Sequence, residues 1–353
     1  MNGIVLEGGG ARGSYQAGAI KALRKKHIKF SCALGTSIGS INAAFVASNN
    51  YKDLYKLWNN VTSEELLGVS NDSVKFFNNE KSLKNIRYSI IELKKIMKNH
   101  GIDTSTLKTY LKKYINETSL RKSSCDYGLV TFNITDKKPV EIFKKDIPKG
   151  KLFDYIIASA YFPLFKFEKI IDNKYYFDGG IYNQCPYNLL LNKGYDNIYI
   201  VRAHTSKLKK YKVGQSNIIE IKSNENLGPL IFFSKEKNKY NFILGFYDTL
   251  KVLDNLDGNK YYFRKRSTLY YSSILNKKII NKYFPTNEVM NLTNYKEDVL
   301  DLIEKLCDKY SIKRFSIHSI ISVLLILKYK MRKDKTDIYY DFIKEIKLNI
   351  LQK

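Results

Sequence analysis

The chain has 353 residues, and 60 lysines and arginines against 34 aspartates and glutamates give a formal net charge of +26. That length holds one large α/β domain with an appendage, or two domains, and an apolar fraction of 44% is that of a globular protein with a sizeable core. The longest nearly uncharged apolar stretch, Phe315 to Leu327, is about 13 residues and too short to span a bilayer.

Gly3–Glu7 is a short apolar strand, and no charged-then-apolar leader with a small-residue cleavage site precedes it, so a secretory signal is not expected. Gly8-Gly9-Gly10-Ala11-Arg12-Gly13 follows. Consecutive glycines let backbone N–H groups point into one concavity. The next segment, Ser14–His27, is a helix with Tyr15, Ala19, Ala22 and Leu23 on one stripe, and it adds its positive N-terminal end. Such a nest suits a developing oxyanion, and Arg12 brings a permanent positive charge. Gly8, Gly10 and Gly13 also satisfy the dinucleotide-binding pattern G-x-G-x-x-G. That pattern needs an acidic residue about 20 positions on to hold a ribose. No Asp or Glu occurs between Gly8 and Lys52, so the dinucleotide reading loses its required partner.

Phe30–Leu34 is a second strand, and Ile38–Ser48 is a helix of small residues that can pack close to a sheet. Between them stands Gly35-Thr36-Ser37-Ile38-Gly39. An ordinary Gly/Ser turn with a helix N-cap would give the same letters. A strand before and a helix after, however, are the context of a nucleophile elbow, a sharp turn that projects a serine hydroxyl away from the sheet. The helix dipole is also aimed at Ser37.

Residues 51–122 are Lys-rich and helical in pattern, as a helical insertion or cap would be. Tyr127–Ile134 reads as a strand, Leu152–Ala160 as a helix, Tyr175–Phe177 as a short strand, Tyr187–Asn192 as part of a helix and Asn197–Ala203 as a strand. This alternation implies a parallel sheet with helices on both faces. Asp178-Gly179-Gly180 follows the aromatic strand, and two glycines free the chain to turn. A plain β-turn aspartate would look the same, as Asp257-Gly258 does further on.

A serine hydroxyl is a poor nucleophile without an adjacent base. Of the four histidines, His27, His100 and His318 lie in helical or Lys-rich regions. His204 ends the strand Asn197–Ala203, and Ser37, Asp178 and His204 follow the chain order of an α/β-hydrolase triad. Against that order, the elbow comes after the second strand rather than a later one. A Ser-Asp-His esterase using His204 therefore stands beside a site with Asp178 as the base.

After residue 206 the pattern changes. Ile218–Ile221 is strand-like, an apolar and aromatic stretch runs to about Leu253, and a turn at Asp257-Gly258 leads into Lys260–Phe263. From Thr286 onward the chain reads as helices, with Val299, Leu302, Ile303 and Leu306, and then Tyr339, Phe342, Ile343 and Ile346, at helical spacing. The four cysteines, Cys32, Cys125, Cys185 and Cys307, form no metal-ligand spacing and read as reduced thiols.

Taken together, EGGGARG, GTSIG and DGG in this order resemble the patatin-like phospholipase family. Ala158-Ser159-Ala160-Tyr161-Phe162-Pro163 is similar to the family's A-S-x-x-x-P block, and Thr131-Phe132-Asn133-Ile134-Thr135-Asp136 to the strand and turn before it. The resemblance covers residues 3–205. It implies an α/β, three-layer patatin-like fold with a mostly parallel central sheet flanked by helices, and a Ser-Asp dyad with Ser37 as nucleophile and Asp178 as base. Gly8, Gly9, Gly10, Ala11, Arg12 and Gly13 would form the oxyanion hole, supported by Gly35, Gly39, Gly179 and Gly180. The implied reaction is lipid acyl-ester hydrolysis through an acyl-enzyme, with no cofactor and no metal. Asp178 would then need a partly desolvated site and a raised pKa.

The expected organisation is a catalytic domain over 1–205 with its 51–122 insertion, a mixed α/β extension over 206–285, and a helical C-terminal region over 286–353. The expected substrate is a lipid or membrane surface, of anionic character given the net charge, with no nucleic acid. The expected location is cytoplasmic or peripheral at the inner membrane surface. The apolar and then basic segment Phe315 to Lys335 and the 51–122 insertion are the candidate membrane contacts. For the former, a buried helix docking on the catalytic domain, with a solvated charged end, is the favoured reading. The charge has a bland reading too, since Lys, Asn, Ile and Tyr are abundant together and the basic clusters are dispersed. A basic membrane or nucleic-acid binding module with a vestigial site is the remaining alternative, and it lacks a concentrated basic face.

Overall fold

All five residues of the second strand, Cys32–Thr36, are buried, as a strand covered on both faces requires. The computed structural model describes residues 1–68, 101–211, 214–274, 292–332 and 337–345. It divides into two units, Met1–Thr249 and Leu250–Lys353.

The first unit holds one eight-stranded sheet. Its strands are β1 (Asn2–Leu6), β2 (Cys32–Thr36), β3 (Asp126–Asn133), β4 (Lys138–Phe143), β5 (Lys169–Ile171), β6 (Lys174–Asp178), β7 (Asn197–Val201) and β8 (Asn217–Ile221). The order is β5-β6-β3-β2-β1-β7-β8, with β4 also pairing β3. β3, β2, β1, β7 and β8 are mutually parallel. β4, β5 and β6 join antiparallel on the β3 side. The β5–β6 hairpin turns through Asp172 and Asn173, both at positive φ, a two-residue turn whose twist matches the strands it joins. Because β8 pairs with β7, the sheet continues past residue 205, where the sequence pattern changes.

Helix α2 (Ile38–Ala47) packs on β1, β2 and β3, with α1 (Gly13–Lys25) against it. On another face, Val5, Cys32, Leu34, Ile198 and Ile200 pack with Tyr187 and Leu190 of the segment that carries helix Asn188–Asn192. Sheet and helices thus form the layers of an α/β fold. The described parts of 51–122 include helices Tyr51–Asn60, Ser63–Leu67, Ser105–Lys112 and Glu117–Lys122; residues 69–100 of that insertion, including His100, lie outside the described residues. The stretch leading to Leu253 is a single helix, Lys235–Leu253, and the unit boundary falls inside it. Part of the basic excess rests on aromatic rings. In the Arg24-Lys25-Lys26 cluster, the Arg24 guanidinium lies 3.8 Å from the Tyr51 ring centre and the Lys25 ammonium 5.6 Å from that of Phe246.

In the second unit, Tyr262–Phe263 and Ile317–His318 pair as a short parallel ladder beside helices Leu292–Lys309, Ile320–Met331 and Tyr340–Glu345. Val299, Ile303, Leu306, Val323, Leu327 and Phe342 share its core. Helix Ile320–Met331 is the apolar segment considered for membrane contact. It buries Ile320, Val323, Leu324, Leu327 and Met331 in that core. No helix among the described residues is long and apolar enough to cross a membrane.

Candidate active site

Ser37 leaves β2 and opens α2 with φ 57° and ψ −131°. A non-glycine residue at such a φ is held there by its surroundings. The turn also needs α2 close to β1: a Cβ on Gly39 would stand 2.1 Å from the Leu6 carbonyl oxygen. Ser159, at the end of helix Leu152–Ser159, anchors the turn from the other side. Its Oγ accepts from the Ser37 N–H at 3.0 Å and donates to the Val130 carbonyl at 2.7 Å.

The register of β3 brings Asp178 to Ser37. Thr36, the last residue of β2, pairs with Val130, while Asp178, the last residue of β6, pairs with Thr131. Opposite the same two β3 residues, β4 supplies Glu141 and Val140, so β2 and β6 meet end to end along one edge of β3. The Ser37 hydroxyl favours the ionised form of the Asp178 carboxylate, and both residues line the same cavity. The Gly180 N–H donates to Asp178 Oδ1 at 2.8 Å, and the Asp178 N–H donates to the Tyr161 carbonyl at 2.8 Å. Asp178 is 7% exposed. Burial pushes its carboxyl from the usual 3.8 up to about 6, against the Ser37 hydroxyl and the Gly180 N–H, which favour the ionised form.

Residues 8–13 form a loop and a 3₁₀ turn beside the serine; a Cβ on Gly8 would lie 3.4 Å from that of Ser37. Several of its N–H groups are already engaged: Gly8 donates to Gln184 O, Ala11 to Leu230 O and Arg12 to Gly9 O, at 3.0, 2.7 and 3.1 Å. The Gly13 N–H is taken by the turn's own carbonyls. Among the described residues, the N–H groups of Gly9 and Gly10 have no acceptor. Gly10 sits at φ +54°, and a Cβ there would meet Leu230 O at 2.0 Å, so this bend requires glycine.

Arg12 turns away from the serine. Its Nε donates to Gly228 O at 2.7 Å and its Nη1 to Ala203 O at 3.1 Å, and Nη1 also lies 3.0 Å from His204 Nδ1. Gly8, Gly9, Gly10, Ser37, Asp178, Gly180 and Gln184 line one cavity of about 210 Å³, whose remaining wall is apolar and includes Ile41, Leu66, Leu107, Phe162, Phe165 and Phe233. Arg12 and His204 line a different, polar cavity. Among the described residues no group of His, Cys, Asp and Glu is arranged to hold a metal ion, and all four cysteines are free thiols.

Three supporting residues carried no isolated signal in the sequence. Glu7 is buried at the end of β1, and its Oε2 accepts from the Ala203 N–H, the His204 N–H and Arg202 Nε at 2.7, 3.0 and 3.0 Å. Behind the loop, Gln16 Nε2 donates to Glu7 O at 2.6 Å, and Asn42 Nδ2 donates to Gln16 Oε1 at 2.9 Å and to Gly13 O at 3.0 Å. A glutamate ending an apolar strand, and polar residues on the buried faces of α1 and α2, are the only hints that could have found them.

A largely parallel α/β sheet with a crevice at the carboxyl ends of its strands, floored by a strained serine and a buried carboxyl, is the frame of a hydrolase. The family model of patatin-like phospholipase matches residues 4–191, and the chain belongs to that family. Its mixed α/β fold with C-terminal helices accords with this. The chain is similar to Probable lipid hydrolase 463L of Invertebrate iridescent virus 6, 25% identical over 243 residues, or 65% of this chain and 81% of the viral protein. It is 42% identical over 64 residues to Uncharacterized protein YqhO of Bacillus subtilis (strain 168), a match that spans 18% of this chain and 22% of that protein. Among solved structures, VipD from Legionella pneumophila aligns over 97% of this chain and 82% of its own, with 14% identity and a TM-score of 0.41.

Proposed function

We propose that the protein hydrolyses acyl esters of lipids through a two-residue site, with Ser37 as nucleophile and Asp178 as its base. The observation that carries this is that a serine held at positive φ and a buried carboxyl line the same apolar-walled cavity, where burial raises the carboxyl's pKa to about 6 and so makes it basic enough to take a proton near neutral pH. Ser37 Oγ attacks the ester carbonyl as Asp178 takes its proton. The carbonyl oxygen, now negative, lies toward the free N–H groups of Gly9 and Gly10. The proton passes to the departing alcohol, which leaves an acyl-enzyme; Asp178 then takes a proton from a water whose oxygen attacks the acyl carbonyl, and returns it to Ser37 Oγ as the fatty acid is released.

The apolar wall supports an acyl chain as the bound group, since each methylene taken from water into it gains about 0.8 kcal/mol. The name of the viral relative, a probable lipid hydrolase, supports a lipid substrate, and the +26 charge favours an anionic lipid surface. The test is hydrolysis of a p-nitrophenyl ester and of phospholipid vesicles by wild type and Ser37→Ala. The variant is expected to lose at least about a thousandfold in kcat. Wild-type rates from Ser37→Ala would refute the proposal.

A further inference from the structure

We infer that His204 is a positioning residue for the oxyanion loop and takes no proton from Ser37. This rests on the reading of Ser37 as nucleophile. The hydrogen bonds around the imidazole fix its role. Arg12 has only donors, so its Nη1, 3.0 Å from Nδ1, must donate to that ring nitrogen. The ring proton then sits on Nε2, where the Gly8 carbonyl, 3.0 Å away, accepts it. Gln184 Nε2, a donor, lies 2.8 Å from the same nitrogen and donates to the Gly8 carbonyl at 3.5 Å, beside the ring's own bond to it. Both ring nitrogens are thereby occupied by the glycine loop and its neighbours, and neither is available to the serine.

What the ring holds is the segment that ends in the two free donors. Gly8 is fixed from both sides, its N–H on Gln184 O and its carbonyl on His204, and Gly9 follows directly. Arg12 closes the far end of the same loop, tied to His204, Ala203 O and Gly228 O. His204 itself is set by its own N–H on Glu7 Oε2. A chain therefore runs from the buried Glu7 through His204 to both ends of residues 8–12. Oxyanion donors act only when held where the negative oxygen forms, and a loop of consecutive glycines has little stiffness of its own.

The clamp requires a neutral ring, because an imidazolium has no acceptor for Arg12. The surrounding charges are Arg12 and Arg202, opposed by Glu7, which Arg202 joins to Glu220, with Glu225 on the wall of the adjoining cavity. Burial, with Arg12 beyond it, lowers the His204 pKa, while Glu7 opposes.

The experiment compares kcat and KM for a soluble p-nitrophenyl ester, and the rate of Ser37 phosphonylation by a fluorophosphonate, in wild type, Ser37→Ala, His204→Ala and His204→Gln. His204→Ala is expected to lower kcat and the phosphonylation rate together by about 10- to 100-fold with KM changed less than about threefold, because only the transition state uses the loop donors. His204→Gln keeps an N–H for the Gly8 carbonyl and is expected to recover most of the loss. It also keeps the test readable if the alanine variant misfolds. A proton-transfer role predicts instead that both His204 variants fall to the Ser37→Ala level, and that result overturns the inference. So does wild-type kcat in His204→Ala while Ser37→Ala is inactive, and this outcome leaves the proposed nucleophile standing. If Ser37→Ala stays active, the reading of the site falls and the clamp with it.

Discussion

Replacing Asp178 by asparagine should abolish the reaction and make the protein more stable. The two side chains have nearly the same shape, and asparagine keeps an oxygen for the Gly180 N–H, so packing and that 2.8 Å bond survive. What disappears is an ionised carboxylate in a site where it is 7% exposed. The size of the effect follows from linkage. The folded-state pKa is about 6 against the usual 3.8. That difference corresponds to about 3 kcal/mol. The sign follows from proton binding: between these two values the folded chain holds the proton and the unfolded chain does not, so wild-type stability falls as pH rises. Below the unfolded-state value the group imposes no penalty; above about 6 it imposes all of it.

Urea unfolding of wild type and Asp178→Asn at pH 4 and pH 8 measures this directly. At pH 8 the variant should be more stable by up to about 3 kcal/mol, and at pH 4 the two should agree within about 0.5 kcal/mol. Hydrolysis by the variant should fall at least about a thousandfold at both pH values. In the wild type, kcat/KM should rise with pH as one group loses its proton near 6, and then level off. An asparagine variant that is less stable than wild type at pH 8, or whose gain is the same at both pH values, would refute the argument that burial of the charged form sets this carboxyl's pKa. Retained activity would refute its role as base.

Ser159→Ala removes the hydroxyl between Ser37 N and Val130 O; it should cost about 1–3 kcal/mol in urea unfolding and lower kcat about 10- to 100-fold through a displaced elbow. Leu107→Trp narrows the apolar wall of the cavity. A p-nitrophenyl ester series should then show a shorter preferred acyl chain, with kcat/KM falling about fourfold for each methylene excluded and butyrate hydrolysis retained.

The central strands were legible because parallel strands buried on both faces must be continuous apolar runs, and Ile4, Val5 and Leu6 or Ala33 and Leu34 leave little choice. β4 was not. Its sequence, KPVEIF, pairs only with β3 and is partly exposed along its length, so it carries neither an unbroken apolar run nor clean alternation. β5 has three residues, too few for a period to appear. Helix Ile320–Met331 is an unbroken apolar run in sequence, yet Leu325 and Ile326 are 44% and 42% exposed while Ile320, Val323, Leu324, Leu327 and Met331 are buried. Asp257, read as a plain turn residue, accepts from the Arg266 N–H and Tyr271 Oη and pairs with Lys296 at 2.6 Å. In the site, Ser37 and the glycine loop announce themselves because backbone geometry demands particular residues there. His204 did not, because chain order reports which residues exist and says nothing of where an imidazole points. Its contacts with Arg12 and Gly8 depend on tertiary structure alone.

The meeting of Ser37 with Asp178 depends on where two strands stop. β2 runs parallel to β3 and ends opposite Val130; β6 runs antiparallel and ends opposite Thr131. Two carboxyl-terminal strand ends therefore face each other along one edge, and the backbone ladder is broken between them. Unpaired backbone groups at a buried break would be costly, and two hydroxyls close it. Ser159 bridges Ser37 N and Val130 O, and Thr131 Oγ1 lies 2.9 Å from each of the carbonyls of Ala158 and Phe177. The gap leaves space for a serine hydroxyl and a carboxylate to meet, and it is also why the carboxylate is dry. One geometric cause thus accounts for the partner of the proposed nucleophile, for that partner's raised pKa, and for a serine and a threonine buried beside them that the proposed reaction does not use.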